Sequence, residues 1–271
     1  MSTTDLSKRG AVWLDALTNS APLQPGYPPS VRAVDARLGD HPARFIAVVP
    51  DPDNPFTRAR SGEVGLVEGW QLARAVREVV DADVERREKR AIVAVIDVAS
   101  QAYGRREEAY GIHQALAGAA DAYASARLAG HPVIGLIVGR AMSGAFLAHG
   151  YQANRLIALE DPQVLVHAMG KESAARVTLR SVADLEAFTA RVPPMAYDIH
   201  SYESLGLLWK LLKVNSADAP TAADQALVEK ALQAAFDDIR ADPSRGLGSR
   251  LGSEHRAASV KVRQALREQW R

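Results

Sequence analysis

The 271-residue chain carries 33 Lys and Arg against 32 Asp and Glu, a net charge of +1, so no global field draws it to nucleic acid or an anionic membrane. With 47% apolar and 24% charged residues it has globular composition and enough chain for a sizeable core, which excludes collagenous, mucin-like and wholly disordered classes. The absence of cysteine removes disulfides, thiolate zinc sites, iron–sulfur clusters and cysteine nucleophiles.

Residues 1–40 read as poor core material. MSTTDLSKRG is polar, and Ala21–Pro29 holds four prolines and a glycine, a pattern that predicts an extended N-terminal arm. Leu14–Ala21 is interrupted by Asp15, Thr18, Asn19 and Ser20, unlike a signal-peptide core, and no apolar run reaches the ~18 residues of a membrane helix. A soluble cytoplasmic protein is the expectation.

A core region is predicted over 41–215. Phe45–Pro50 reads as a buried strand, followed by a turn in DPDNP and a helix from about Val67 to Arg87 with Leu72, Val76, Val79 and Val80 on one face. Ala91–Asp97 is a continuous apolar, largely β-branched run of the kind buried in parallel sheets. A polar loop leads into a helix over about 107–129, Pro132–Gly139 is another strand, and SGAFLAHG opens a small-residue helix. Arg155–Leu159 and Val164–Met169 read as two further strands. This alternation implies an α/β fold with right-handed crossovers. Helices are predicted at 183–191, about 196–213 and 222–241, then a Gly/Ser break at 244–254 and an Arg-rich helix over 255–271. Residues 216–271 form the predicted C-terminal helical region.

Two strand–loop–helix junctions can carry chemistry. In D-V-A-S-Q-A-Y-G-R-R-E-E, Gly104 precedes a helix that opens on Glu107 and Glu108; the loop either aims backbone donors at an oxyanion or is a plain βα turn. In G-R-A-M-S-G-A, Gly144 permits close ligand approach, and the N–H groups of Gly144 and Ala145 belong to a helix N-terminus able to bind an enolate or carbonyl oxygen; close strand–helix packing is the alternative. Ser143 is a candidate nucleophile with His167 as base, although G-x-S-x-G is absent. Arg58 and Arg60 are either phosphate grips or surface charges. No H-E-x-x-H, paired histidine motif or EF-hand loop marks a metal site. From Arg240 to Arg271 there are eight Lys/Arg and three Asp/Glu, a solvated face or a docking surface for an acidic partner.

R-A-R-S-G-E-V-G-L-V-E-G-W, S-Q-A-Y-G-R-R-E-E and G-R-A-M-S-G-A-F-L-A-H-G together resemble the gamma subunit of biotin-independent malonate decarboxylase, from about Arg44 to Lys213. More distantly the chain is similar to the carboxyltransferase halves of acyl-CoA carboxylases. Their D-V-P-G-x-x-P-G corresponds to Asp97–Gly104, with Ala99, Ser100 and Tyr103 replacing Pro, Gly and the second Pro, and their G-G-A element corresponds to Ser143–Ala145. Clp proteases carry S-M-G-A-F where this chain has S-G-A-F, so Ser143 and His167 echo a peptidase dyad.

The resemblance implies a crotonase/Clp-like ββα superhelix with a helical C-terminal region. It also implies a subunit that works with a homologous beta subunit to decarboxylate malonyl-S-acyl carrier protein to the acetyl thioester and CO2. Gly104, Gly144 and Ala145 would hold the enolate, with Tyr103, His167 or water as proton source. The substrate would ride on the CoA-like arm of an acyl carrier protein subunit, and a carrier transferase subunit would complete a larger complex. No biotin, metal, other bound cofactor, nucleic acid or membrane is implied. A Clp-like serine hydrolase, or a non-catalytic half that completes the partner's fold, are the alternatives.

Overall fold

The computed structural model describes residues 6–242 and 244–270. In chain order it runs α1 (Arg9–Leu17), β1 (Val31–Leu38), β2 (His41–Val48), α2 (Leu66–Ala82), β3 (Ala91–Val98), α3 (Arg105–Ala109), α4 (Ile112–Leu128), β4 (Val133–Met142) and α5 (Ser143–Ala148). It continues with β5 (Arg155–Leu159), β6 (Val166–His167), α6 (Lys171–Val177), α7 (Val182–Thr189), α8 (Ile199–Ser204), β7 (Lys210–Leu212), α9 (Ala222–Ala241) and α10 (Ala257–Gln269).

The strands form one sheet in the order β1-β2-β3-β4-β5-β7, antiparallel only between β1 and β2. Every residue of β3 is buried, as its unbroken apolar run requires. Helices α2, α4 and α5 cover one face, and α1 and α9 the other. The ten-residue β4 outlasts its neighbour β5: Ile134–Ile137 pair with β5, and Ala141 and Met142 pair instead with Val166 and His167 of β6.

The expected extended arm is corrected. Trp13 and Leu14 of α1 are fully buried, and the Trp13 indole N–H donates to the Ala217 carbonyl at 2.8 Å. β1 pairs along its whole length with β2, and only the Pro-rich stretch between α1 and β1 is irregular. Helix α9 also packs on the sheet, burying Val228, Leu232 and Phe236, so residues 9–38 and 222–241 share the core predicted for 41–215. Among the described residues α10 alone of the helices longer than two turns buries none of its side chains.

Other boundaries moved for local reasons. Gly111, at φ +80°, separates α3 from α4 within the helix predicted over 107–129. Gly206, at φ +70°, follows α8, so the helix predicted over 196–213 ends early and the chain joins the sheet edge as β7. No helix among the described residues is long and apolar enough to cross a membrane.

Candidate active site

The two predicted junctions follow β3 and β4, at the carboxyl ends of parallel strands, where open α/β sheets place their ligands. Leaving β4, the backbone turns at Ser143 with φ +59°, a left-handed conformation rare for a residue with a Cβ and typical of functional turns. Helix α5 starts there, so the N–H groups of its first turn, including those of Gly144 and Ala145, have no carbonyl one turn earlier to bond. A Cβ at residue 144 would overlap Oε1 of Gln101 and lie 3.4 Å from Cδ1 of Leu116. Glycine at 144 lets the end of the Gln101 side chain lie against the backbone of the turn.

A cavity of about 480 Å³ opens beside this turn. Gln101, Ser143, Gly144 and His167 line it, with Phe146, Leu147, Pro193, Pro194 and Tyr202 among the apolar walls. Ala145 is buried directly behind. Phe146 packs edge-on against Tyr151 at 5.2 Å and Tyr202 at 6.5 Å between centroids, which fixes that wall.

His167 reaches the cavity because β6 pairs with the end of β4, with His167 opposite Met142. Its ring stacks on Tyr197 at 3.8 Å, nearly parallel at 13°. Burial lowers its pKa, partly offset by hydrogen bonds to the backbone of Met169 and Met195. The imidazole is therefore neutral at pH 7. Nδ1 lies 3.0 Å from the Met169 carbonyl oxygen and 3.2 Å from the Met169 N–H. No hydrogen bond joins Ser143 to His167 among the described residues; they share a cavity without forming the bonded dyad a serine hydrolase uses.

The Asp97 loop meets this cavity at a different residue from the one expected. Val64 bridges Gln101, the Val64 N–H donates to Ser100 O at 3.0 Å, and Ala102 N–H donates to Val64 O at 2.8 Å. This ladder directs Gln101 to Gly144, whereas Tyr103 is 64% exposed and Gly104 is the extended N-cap of α3; neither lines the cavity. Arg58 is exposed near Gly104, and exposed Arg60 donates from Nε to Asn54 O at 3.0 Å, holding its own turn. Both arginines lie outside the cavity. Asp97 itself points to the opposite face, accepting from Ser7 Oγ at 2.5 Å and from the N–H groups of Gly10 and Arg140. Glu68, in the G-L-V-E-G-W motif, is fully buried and accepts from Ser30, Asn54 and the Gly65 N–H; it braces the loop before α2.

Sequence reasoning did not single out Gln101, Tyr197, Tyr202 or the Pro193–Pro194 wall. The S-Q-A-Y-G motif contained the first of these, but the side-chain contact that selects it lies across the sheet. Among the described residues no group of three or more His, Asp or Glu is placed to hold a metal ion.

A sequence model described as the malonate decarboxylase gamma subunit matches residues 59–270. A chain of a Pseudomonas malonate decarboxylase hetero-tetramer, solved with coenzyme A, is 65% identical with TM-score 0.93, covering 97% of this chain and 99% of that one. A chain of the Pseudomonas MdcD-MdcE hetero-dimer is 62% identical with TM-score 0.90 over the same shares. The malonyl-S-ACP:biotin-protein carboxyltransferase MADD of Malonomonas rubra is 33% identical over 182 residues, 66% of this chain; the match spans 62% of that relative's length. Transcarboxylase 12S, at 18% identity and TM-score 0.64 over 85% of this chain and 42% of that one, shares the fold. The sheet with its covering helices is thus the crotonase-like carboxyltransferase fold that the motifs implied. With the match running from Ala59 to Trp270 across both strand–loop–helix junctions, the chain belongs to the malonate decarboxylase gamma-subunit family.

Proposed function

We propose that this chain is the gamma half of a malonyl-thioester decarboxylase, working with a homologous beta subunit on malonate carried by an acyl carrier protein. The observation that carries the reading is the left-handed turn at Ser143, which starts α5 at the wall of an apolar cavity. Decarboxylation breaks the bond between the α carbon and the carboxylate; its electron pair forms an enolate whose charge gathers on the thioester oxygen, and CO2 leaves. One proton then converts the enolate to the acetyl thioester. The N–H group of Gly144, which lines the cavity, binds that developing charge, an interaction where a single donor is worth about 10²–10³ in rate; Ala145, fully buried behind the lining, is not assigned to this step. The apolar walls take the carboxylate out of water, favouring its loss as neutral CO2. His167, or a water that it orients, supplies the proton. Tyr103 and Gly104 sit outside the cavity and are not assigned to these steps.

The partner completes the thioester-binding side. Relatives crystallised as a hetero-dimer and a hetero-tetramer support such an assembly for this chain. The carrier transferase subunit belongs to the same larger complex. The test is CO2 release from malonyl thioester by the chain alone, by the beta subunit alone, and by both. Activity should require both, in a complex burying more than about 2,000 Å². Full activity of the isolated chain overturns the shared-site reading, and esterase activity toward peptide esters, lost on Ser143→Ala, replaces it with the hydrolase.

A further inference from the structure

We propose that Tyr197 is a positioning residue for His167, its ring face serving as the platform that sets the plane of the imidazole at the cavity wall. The inference rests on the reading of His167 as the proton source, directly or through a water. His167 is only partly buried and lines the cavity, so its side chain has room to turn. The outer torsion of histidine is intrinsically broad, and packing must choose the ring plane. Two contacts make that choice. The Tyr197 and His167 rings stack with centroids 3.8 Å apart and planes 13° from parallel, which fixes one face of the imidazole. The Met169 backbone holds one edge, with Nδ1 3.0 Å from the Met169 carbonyl oxygen.

The platform is itself held on several sides. The Val166 N–H donates to the Tyr197 carbonyl at 3.0 Å, and Leu165 bridges Asp198, so the segment carrying Tyr197 is paired with the strand carrying His167. Tyr197 is buried in a cluster with Met142, Ala174, Ala175 and Leu185, which gathers the end of β4, α6 and α7 around it. Lys171 Nζ lies 5.6 Å from the Tyr197 ring centroid and pairs with Glu186 at 2.7 Å. Tyr197 does not line the cavity, and its hydroxyl is buried without a partner among the described residues. That hydroxyl neither reaches substrate nor relays a proton, so the ring face is the part the site uses. A proton reaches the enolate carbon along the axis perpendicular to the enolate plane. A tilted imidazole loses that alignment while thioester binding stays intact, so Tyr197 acts on kcat through His167.

The test measures CO2 release from malonyl thioester by the assembled complex, with Tyr197→Phe, Tyr197→Leu, His167→Asn and the Tyr197→Leu/His167→Asn pair. Tyr197→Phe keeps the platform and should hold kcat within about twofold of wild type. Tyr197→Leu removes the flat face and should lower kcat about tenfold, with KM changed less than about threefold. In the His167→Asn background the same change should cost less than about twofold, because no imidazole remains to be placed. If Tyr197→Leu does not assemble, Tyr197→Met fills the space with a flexible chain and repeats the comparison. The proposal is overturned if loss of the ring leaves kcat within about twofold of wild type, or if the loss lies in KM. Equal losses in both backgrounds overturn it by making Tyr197 packing only, and a Tyr197→Phe loss as large as that of Tyr197→Leu overturns it in favour of the hydroxyl. His167→Asn with wild-type kcat would instead refute His167 as the proton source, and an unmodified complex that releases no CO2 would refute the decarboxylase reading itself.

Discussion

Removing the imidazole of His149 tests how the site helix is held. His149 is fully buried at the carboxyl end of the six-residue α5. Its Nε2 lies 3.1 Å from the Val95 carbonyl oxygen, which can only accept, so Nε2 carries the proton and Nδ1 accepts from the Tyr123 hydroxyl at 3.0 Å. One side chain thereby ties α5 to both β3 and α4. Burial holds the His149 pKa at about 4, against 6.5 for the free side chain, the bond to Val95 offsetting part of the shift. The unfolded chain then binds more protons than the folded one as pH drops below 6.5. The stabilisation is full above that pH and is lost toward pH 4. Linkage puts the loss between pH 7.5 and pH 5 at about 2 kcal/mol from this residue. His149→Phe deletes both hydrogen bonds and leaves the buried Tyr123 hydroxyl without its partner, at about 3 kcal/mol together at pH 7.5. The variant no longer carries the acid-labile term, so the gap to wild type should shrink to about 1 kcal/mol at pH 5. Urea unfolding at both pH values measures it. An equal gap at pH 7.5 and pH 5 would refute the buried neutral imidazole.

Ser143→Ala should keep much of the decarboxylase activity, since the backbone at 144 is assigned to the oxyanion, while Gly144→Val should lose more than about 10²-fold because its branched side chain fills the cavity wall at the turn; steady-state rates of the two variants in the complex decide it. Arg9 is 2% exposed and pairs with Asp161 at 2.8 Å and Asp218 at 2.7 Å, so Arg9→Met should cost about 2 kcal/mol in chemical unfolding; no loss would mean that α1 is not docked as described. Removing 255–271 takes away the exposed α10, with Val262, Leu266 and Trp270 on its surface, and should raise KM for carrier-bound substrate at low salt while sparing a small malonyl thioester. Equal loss on both substrates, with a weakened complex, would assign α10 to subunit packing instead.

The parallel sheet and the two junctions that follow β3 and β4 are legible from neighbouring residues alone. Ala91–Val98 and the first part of β4 are apolar without interruption, and only a strand covered on both faces uses such a run. The glycine-containing junctions were legible for the same local reason, because Gly144 and the residues around it lie within a few positions of one another. The long motifs carried the family. What the sequence left unread depends on contacts between distant segments. β1, V-R-A-V-D-A-R-L, alternates with charges and looks like surface until β2 pairs with it, and the short α1 gains its order by burying Trp13 against the segment before α9. His167 enters the cavity only because β4 outruns β5 and takes β6 as its next neighbour. Gln101, rather than Gly104, faces Gly144 because Val64 captures the intervening backbone. Periodicity is a property of neighbours along the chain, whereas register and close approach across a sheet are settled by which distant surfaces exclude water together, and that selection is made only in the folded chain.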